Sequence, residues 1–484
     1  MDSGYSAIPR GSFLELQSQN IDGNPSKNPR FIPKFSIEPI SLEDGQDEIL
    51  DVEDDDFPLI QEEEPSSSGS GIPGAVFNLT TSIIGAGIMA LPATMKVLGV
   101  ILGALLIVVM GIISEFSIEL LVRLSVLRKA SSYGEVVESA LGRPASILAE
   151  ICIIINNAGI LVVYLIIMGD VLSGSSNHLG VFQQLLGNGV WDERWLVVLL
   201  ILVFCLLPLC LFRKIESLSF PSAVSVALAV VFVLVACTIT LVKLIEGRIH
   251  TPRLGPDFGS TKAILDLLVV IPIMTNAYIC HFNVQPIYNE LEGRSPKKMN
   301  QVGRITTVIC VVVYALTAIS GYLLFGNDTE SDVLTNFDQD LGIRFSLALD
   351  YVVRIGYILH LILVFPVIHF SLRQTVDALV FKGWPPLVDS GKRSVVLTHV
   401  LLILIYLGST MIPNIWVAFK FTGATTAVSL GFIFPSLIAL RFNKQEGVLL
   451  RGEKTLSRLM LVMAILVGVI GVAGNVYSLK GPSA

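Results

Sequence analysis

Phe77-Asn78-Leu79-Thr80-Thr81-Ser82-Ile83-Ile84-Gly85-Ala86-Gly87-Ile88-Met89-Ala90-Leu91-Pro92 lies in a run apolar enough to cross a bilayer, yet it holds two glycines, a proline and a cluster of amide and hydroxyl side chains. In hydrocarbon, a backbone group released from its helical partner finds no water, so such residues are tolerated where a helix is interrupted within protein. An interruption at membrane depth offers N–H groups at the start of its second half to a carboxylate. It also frees carbonyls and side-chain oxygens for a cation. Taken alone, Gly85 and Gly87 read equally well as a small-residue packing face.

A second interrupted run weighs against the packing reading. Ile271-Pro272 is followed by Asn276-Ala277-Tyr278-Ile279-Cys280-His281-Phe282-Asn283-Val284-Gln285-Pro286-Ile287-Tyr288-Asn289-Glu290-Leu291. Counting apolar runs of about 20 residues, each enough for a hydrocarbon core of ~30 Å, the first interruption falls in span one and the second in span six. The runs lie near 72–95, 98–122, 146–171, 194–212, 216–244, 263–286, 302–325, 345–371, 394–412, 415–440 and 457–479. Breaks in spans one and six are what two inverted five-helix repeats require, because those spans open the two halves and meet at the midplane. The amphipathic stretch from Ser131 to Pro144 reads as a short interfacial helix.

Composition agrees with an all-α integral membrane protein of about eleven transmembrane helices. Charged residues make up 15% of the 484 and apolar ones 52%, against roughly a quarter charged in soluble domains. The six cysteines are scattered singly and form neither a disulfide framework nor a metal pattern. No phosphate-binding loop or metal-ligand cluster suggests an enzyme, and nothing addresses nucleic acid. No cofactor is expected.

Residues 1–70 carry 16 Asp or Glu against 4 Lys or Arg. Such a segment cannot bury enough apolar surface to fold and is expected to be a disordered acidic tail, with 71–480 forming the transmembrane domain. Within the tail, Asp55 ahead of Leu59-Ile60 fits an acidic dileucine sorting signal, which would make sorting adaptors partners; a chance match in an acidic tail is the alternative. With the N-terminus in the cytosol, cytosolic links and span ends hold 19 Lys or Arg and the opposite side 8, four of them crowded at 243–262. That bias favours a cytosolic N-terminus. It also puts the glycosylation sequon at Asn327 on the lumenal side, whereas the one at Asn78 lies within a span.

Phe77-Asn78-Leu79-x-x-x-Ile83-x-Gly85-x-Gly87-Ile88-x-x-Leu91-Pro92 and Cys280-His281-x-x-x-x-Pro286-Ile287-Tyr288-x-Glu290-Leu291 resemble the two signature segments of the amino acid/auxin permease superfamily. The likeness is to the branch of sodium-coupled neutral amino acid transporters and plant and fungal vacuolar amino acid transporters. It implies a leucine-transporter-type fold, with ten core helices in two inverted repeats, discontinuous helices one and six, and an eleventh helix. It further implies carriage of amino acids coupled to a cation gradient, across a vacuolar or lysosomal membrane. Carried onto this chain, Ser82, Gly85 and Gly87 would face the substrate's carboxylate and amino group, Tyr278, Cys280 and His281 would complete the substrate-binding set, and Asn78 would lie near the ion.

Two departures bear on that ion. The sodium-coupled members resemble Phe-Asn-Leu-Ser-Asn where this chain has Thr81, and span eight offers no Ser or Thr between Ser346 and Ser371. Hard cations need several oxygen ligands, so H+ is favoured over Na+. Span eight supplies Asp350, Arg354 and His360 instead. Asp350 and Arg354, at i,i+4, can pair, and His360 can titrate; with Asn78 and Thr81 they form the candidate ion-coupling set. The plainer alternative is a structural ion pair and a histidine bonded to backbone. Glu119 is expected to reach Arg123 at the span's end. A transporter-like sensor signalling through the tail, or an auxin carrier, are the competing functions. The amino acid carried and the oligomeric state do not follow from the sequence.

Overall fold

The computed structural model describes residues 69–479, apart from 176–177, 250, 260, 339–341, 343–345 and 413–414. The acidic tail up to residue 68, with Asp55, Leu59 and Ile60, therefore lies outside the described residues. Among those described, every regular element is a helix, and the remaining backbone pairing is two isolated bridges.

The first span is two helices, Ile72–Ile83 and Gly87–Leu98, bent by 53°. The upstream half stops because Ile84 turns extended (φ −77°, ψ 100°). Gly85 then sits where a side chain has no room: a Cβ there would lie 2.0 Å from the Tyr164 hydroxyl. The second break separates Thr261–Tyr278 from His281–Asn289, with Cys280 at φ −140°, ψ 4°. Pro272 and Pro286 lie inside the two halves, each withholding one helical N–H. The tenth span, Ile415–Glu446, runs through π-helical turns at Gly423–Ala427 and Ser429–Ile433. Gly423 permits its close approach to the sixth span, because a Cβ there would lie 2.2 Å from the Pro272 carbonyl oxygen.

Among the described residues, eight helices are long and apolar enough to cross a membrane, nine when the bent pair counts as one span. Two further expected spans depart from that standard. Arg194–Cys210 is short, with a π turn at Leu202–Leu206, and the sixth is divided by its break. Contacts between the links nevertheless alternate between two ends. Lys96 bonds Thr329, Arg253 bonds Lys96, and His178 bonds Asp338. At the other end Ser70 pairs with the Glu290–Glu292 segment, Asn289 bonds Ser131, and Arg128 pairs with Glu446. The outward stripe Ile101, Leu105, Val108 and Ile112 on Val100–Leu127 is exposed at helical spacing, a face suited to lipid tails.

Two expectations are revised. Arg123 turns away from Glu119 and pairs with Glu453 of the last helix at 2.8 Å, while Glu119 lies nearer Arg304 and Asn300, because side chains of adjacent helices offer shorter reach there than the next turn of its own. The short helix Tyr133–Leu141, capped by Ser132, does have an apolar face, but that face is packed on protein. Tyr133 donates to the Leu430 carbonyl at 2.8 Å and meets Phe434 edge-on.

Candidate functional site

Two carbonyls at the first break accept hydroxyls from other helices, and Gly85 O accepts Ile88 N–H as well. Tyr314 donates to Ile83 O at 2.6 Å and Tyr357 to Gly85 O at 2.7 Å. The ring of His360 faces the Ile84 carbonyl and bonds Ser225 O through Nδ1 at 2.8 Å. All three side chains are fully buried, where an unpaired carbonyl would be costly. Gly87 is equally pinned: a Cβ on it would lie 2.9 Å from Ala277 Cα in the second broken span. The two breaks therefore touch through backbone, and glycine is what allows it.

Below the break runs a polar line. Asn78 donates to Ile215 O and Ser219 Oγ, each at 3.2 Å. Thr81 bonds Ser222 O at 3.2 Å and Ser225 Oγ at 3.1 Å. Ser82 donates to Asn78 O and accepts from Asn283 Nδ2, both at 2.8 Å. The amide oxygens of Asn78 and Asn283, buried to within 1% of complete, have no protein partner. Acceptors left open in a dry interior suit an ammonium group, which brings three donors. Sequence reasoning passed over Asn283; its signal was an amide inside an apolar run, two residues after His281.

The second break is differently engaged. Tyr278 reaches Ile107 O at 2.9 Å and accepts Ser114 on its carbonyl. Cys280 is buried at the start of the half-helix His281–Asn289, and no side chain caps that start. His281 Nε2 lies 3.0 Å from Ser117, which donates to Gly431 O. Tyr278 and His281 thus hold the second and tenth spans in place.

The ion-coupling set divides. Asn78, Thr81 and His360 are brought together around Ser219–Ser225 of the fifth span, whereas Asp350 and Arg354 are tied to a different partner set. Arg354, 1% exposed, pairs with Asp350 at 3.3 Å and donates to Val171 O at 2.9 Å and Leu179 O at 2.5 Å, clasping the link after the third span. Asn327 is exposed in the link after the seventh span, as a glycan acceptor must be. Among the described residues no cluster of His, Cys, Asp and Glu could hold a metal.

The link after the seventh span folds onto the first break's downstream half, with Val333 N bonding Met89 O at 3.1 Å. Asp338 accepts from His178 Nδ1 at 3.1 Å, and Asp332 is buried close by. Burial pushes the Asp332 carboxyl up to about 7, against the bond it accepts from Leu334 N–H, with the Asp170 charge adding to the rise and His178 and Arg354 opposing it. A carboxyl raised in the folded state binds its proton more tightly there than in the unfolded chain. Its contribution to stability is complete below the ordinary carboxyl range near ~4 and fades as pH rises through about 7. Asp332→Asn is expected to flatten that part of the pH dependence of Tm, measured on detergent-purified protein across the window; an unaltered slope would dismiss the role of this carboxyl.

Comparison with known proteins identifies the family. Two solved structures share the fold: a mutant manganese transporter of Eremococcus coleocola (TM-score 0.59, 12% identity, covering 85% of this chain and 88% of that one) and MhsT in complex with L-phenylalanine (TM-score 0.54, 14% identity, 84% and 99%). Both are similar in fold, and the second confirms the leucine-transporter-type arrangement. Among curated proteins, Amino acid transporter AVT6E of Arabidopsis thaliana is 64% identical over 100% of both chains. AVT6A of the same plant is 45% identical over 85% of this chain and 90% of its own. Residues 68–478 match the family described as transmembrane amino acid transporter protein, so this multi-pass membrane protein, with its paired breaks and buried polar line, belongs to the transmembrane amino acid transporter family.

Proposed function

We propose that the chain is a secondary transporter moving an amino acid across the vacuolar membrane by alternating access, driven by protons and not by sodium. The observation that carries the choice of ion is the fate of the freed carbonyls. Ile83 O, Ile84 O and Gly85 O each face a side chain, and the Thr81 hydroxyl is engaged with Ser222 and Ser225. A hard cation needs about six oxygens, and the break has already given Ile83 O and Gly85 O to tyrosine hydroxyls. Beside the break, bonded to Ser225 O, His360 supplies an imidazole, whose ordinary range lies near physiological pH. The substrate's ammonium group finds acceptors in the Asn78 and Asn283 amide oxygens, and its carboxylate finds the uncapped start of Gly87–Leu98. The vacuolar setting rests on the resemblance to that branch and on the signal at Asp55, Leu59 and Ile60.

The test is uptake of labelled L-amino acids into reconstituted vesicles with the ion gradients set separately. Replacing sodium by choline is expected to leave uptake intact, and collapsing the pH gradient to reduce it severalfold. Strict sodium dependence would reverse the choice of ion. Binding without flux under any gradient would instead favour a sensor.

A further inference from the structure

The Tyr314 hydroxyl does more than satisfy one carbonyl. It lies 2.6 Å from Ile83 O, at the first break, and 2.7 Å from Ala277 O, two residues ahead of the second. A phenol has one proton to donate, so two carbonyl oxygens from two broken helices converge on a single hydrogen. Two carbonyls brought this close repel one another, and either a shared proton or a small cation between them offsets that repulsion. The ring cannot swing aside: Tyr314 is fully buried and meets Tyr278 edge-on at 5.0 Å. Tyr357, by contrast, donates to Gly85 O of the first break.

We infer that Tyr314 is a positioning residue for transport, a fixed hydroxyl that takes the place of a bridging cation and ties the two breaks so that they open as one event. The inference rests on the amino acid transport reading and deepens it. Because the hydroxyl reaches backbone and not substrate, its loss acts on the rate of the conformational step more than on apparent affinity. Because it replaces a charge, its loss leaves two oxygens that a small cation can bridge in its stead.

The experiment is Tyr314→Phe in proteoliposomes, using whichever labelled L-amino acid the unmodified protein carries best. The maximal rate is expected to fall roughly ten- to a hundredfold, the range set by leaving buried acceptors unpaired, with KM changed less than about threefold. Sodium or lithium in place of choline is expected to restore part of that rate in the variant and to leave the unmodified protein indifferent. Tyr357→Phe removes a hydroxyl from Gly85 O of the first break alone, a carbonyl that keeps its bond from Ile88 N–H, and is expected to gain nothing from either ion. A maximal rate within about twofold of the unmodified protein, a loss confined to KM, or no recovery with either cation would each overturn the inference. Should the phenylalanine variant not survive purification, 3,5-difluorotyrosine at position 314 keeps ring and hydroxyl while acidifying the phenol. The altered donor strength is expected to change the maximal rate with KM changed less, and a maximal rate equal to that of the unmodified protein would overturn it. Failure of the unmodified protein to carry any amino acid is a separate result, and defeats the transport reading instead.

Discussion

Gly85→Val is expected to abolish uptake while leaving the protein folded and in the membrane. A Cβ at that position would stand 2.0 Å from the Tyr164 hydroxyl and 2.9 Å from its Cζ, closer than real contacts allow. The ring has little freedom to retreat, being buried and tilted against Phe365 at 6.4 Å. Valine adds two methyl groups beyond that clash. Overpacking of this kind costs about 1–3 kcal/mol. Placed on one conformation of a cycling protein, that is roughly a five- to a hundredfold change in its population, and the polar line beneath would shift with it. Uptake per unit of membrane-inserted protein is the measurement. Removing the opposing hydroxyl in Gly85→Ala with Tyr164→Phe relieves the shorter contact and is expected to recover part of the activity lost in Gly85→Ala. Normal uptake by the valine variant would mean that transport does not use this break.

Arg354→Met is expected to produce the largest loss of stability of any change considered. The guanidinium joins the Asp350 carboxylate, two backbone carbonyls and, at 3.4 Å, Gln184, with 1% of its surface exposed. Taking away one partner of a buried pair typically costs about 3–5 kcal/mol, because the remaining charge is left without compensation. Asp350→Asn introduced together with Arg354→Met removes that stranded charge, so the double variant is expected to unfold at a higher temperature than the single one. Thermal unfolding of the purified protein in detergent decides it. Equal Tm values for single and double variants would show that the carboxylate contributes nothing to holding the clasp.

The breaks were legible because glycine, proline, amide and hydroxyl residues are anomalous in an apolar run, and an anomaly needs no partner to be seen. Their partners were not legible. Tyr164, Tyr314 and Tyr357 look like ordinary aromatic residues of membrane helices, and nothing local to them announces the closeness of Tyr164 to Gly85 or the carbonyls of Ile83 and Gly85 that the other two meet. Arg354 illustrates a partial reading. The i,i+4 spacing identified Asp350, but the carbonyls of Val171 and Leu179 that complete the clasp depend on how the link after the third span is laid down. The Asn78, Thr81 and His360 group came apart from Asp350 and Arg354 for the same reason: one helix can present residues to different neighbours along its length. Arg194–Cys210 lies where a fourth span is expected but is shorter than the other candidate spans, and its π turn had no signature in hydropathy.

The backbone pairing of Ser70 with Glu290 and Glu292 has a mechanical consequence. Those residues follow directly on His281–Asn289, the downstream half of the second broken helix, and the Glu290 carboxylate in turn holds the N–H groups of Ile215 and Glu216. Ser70 is thus fastened to the bundle at the foot of the second broken helix. A pull applied to the chain at Ser70 would therefore bear first on the downstream half of the second broken helix, without passing through the rest of the bundle.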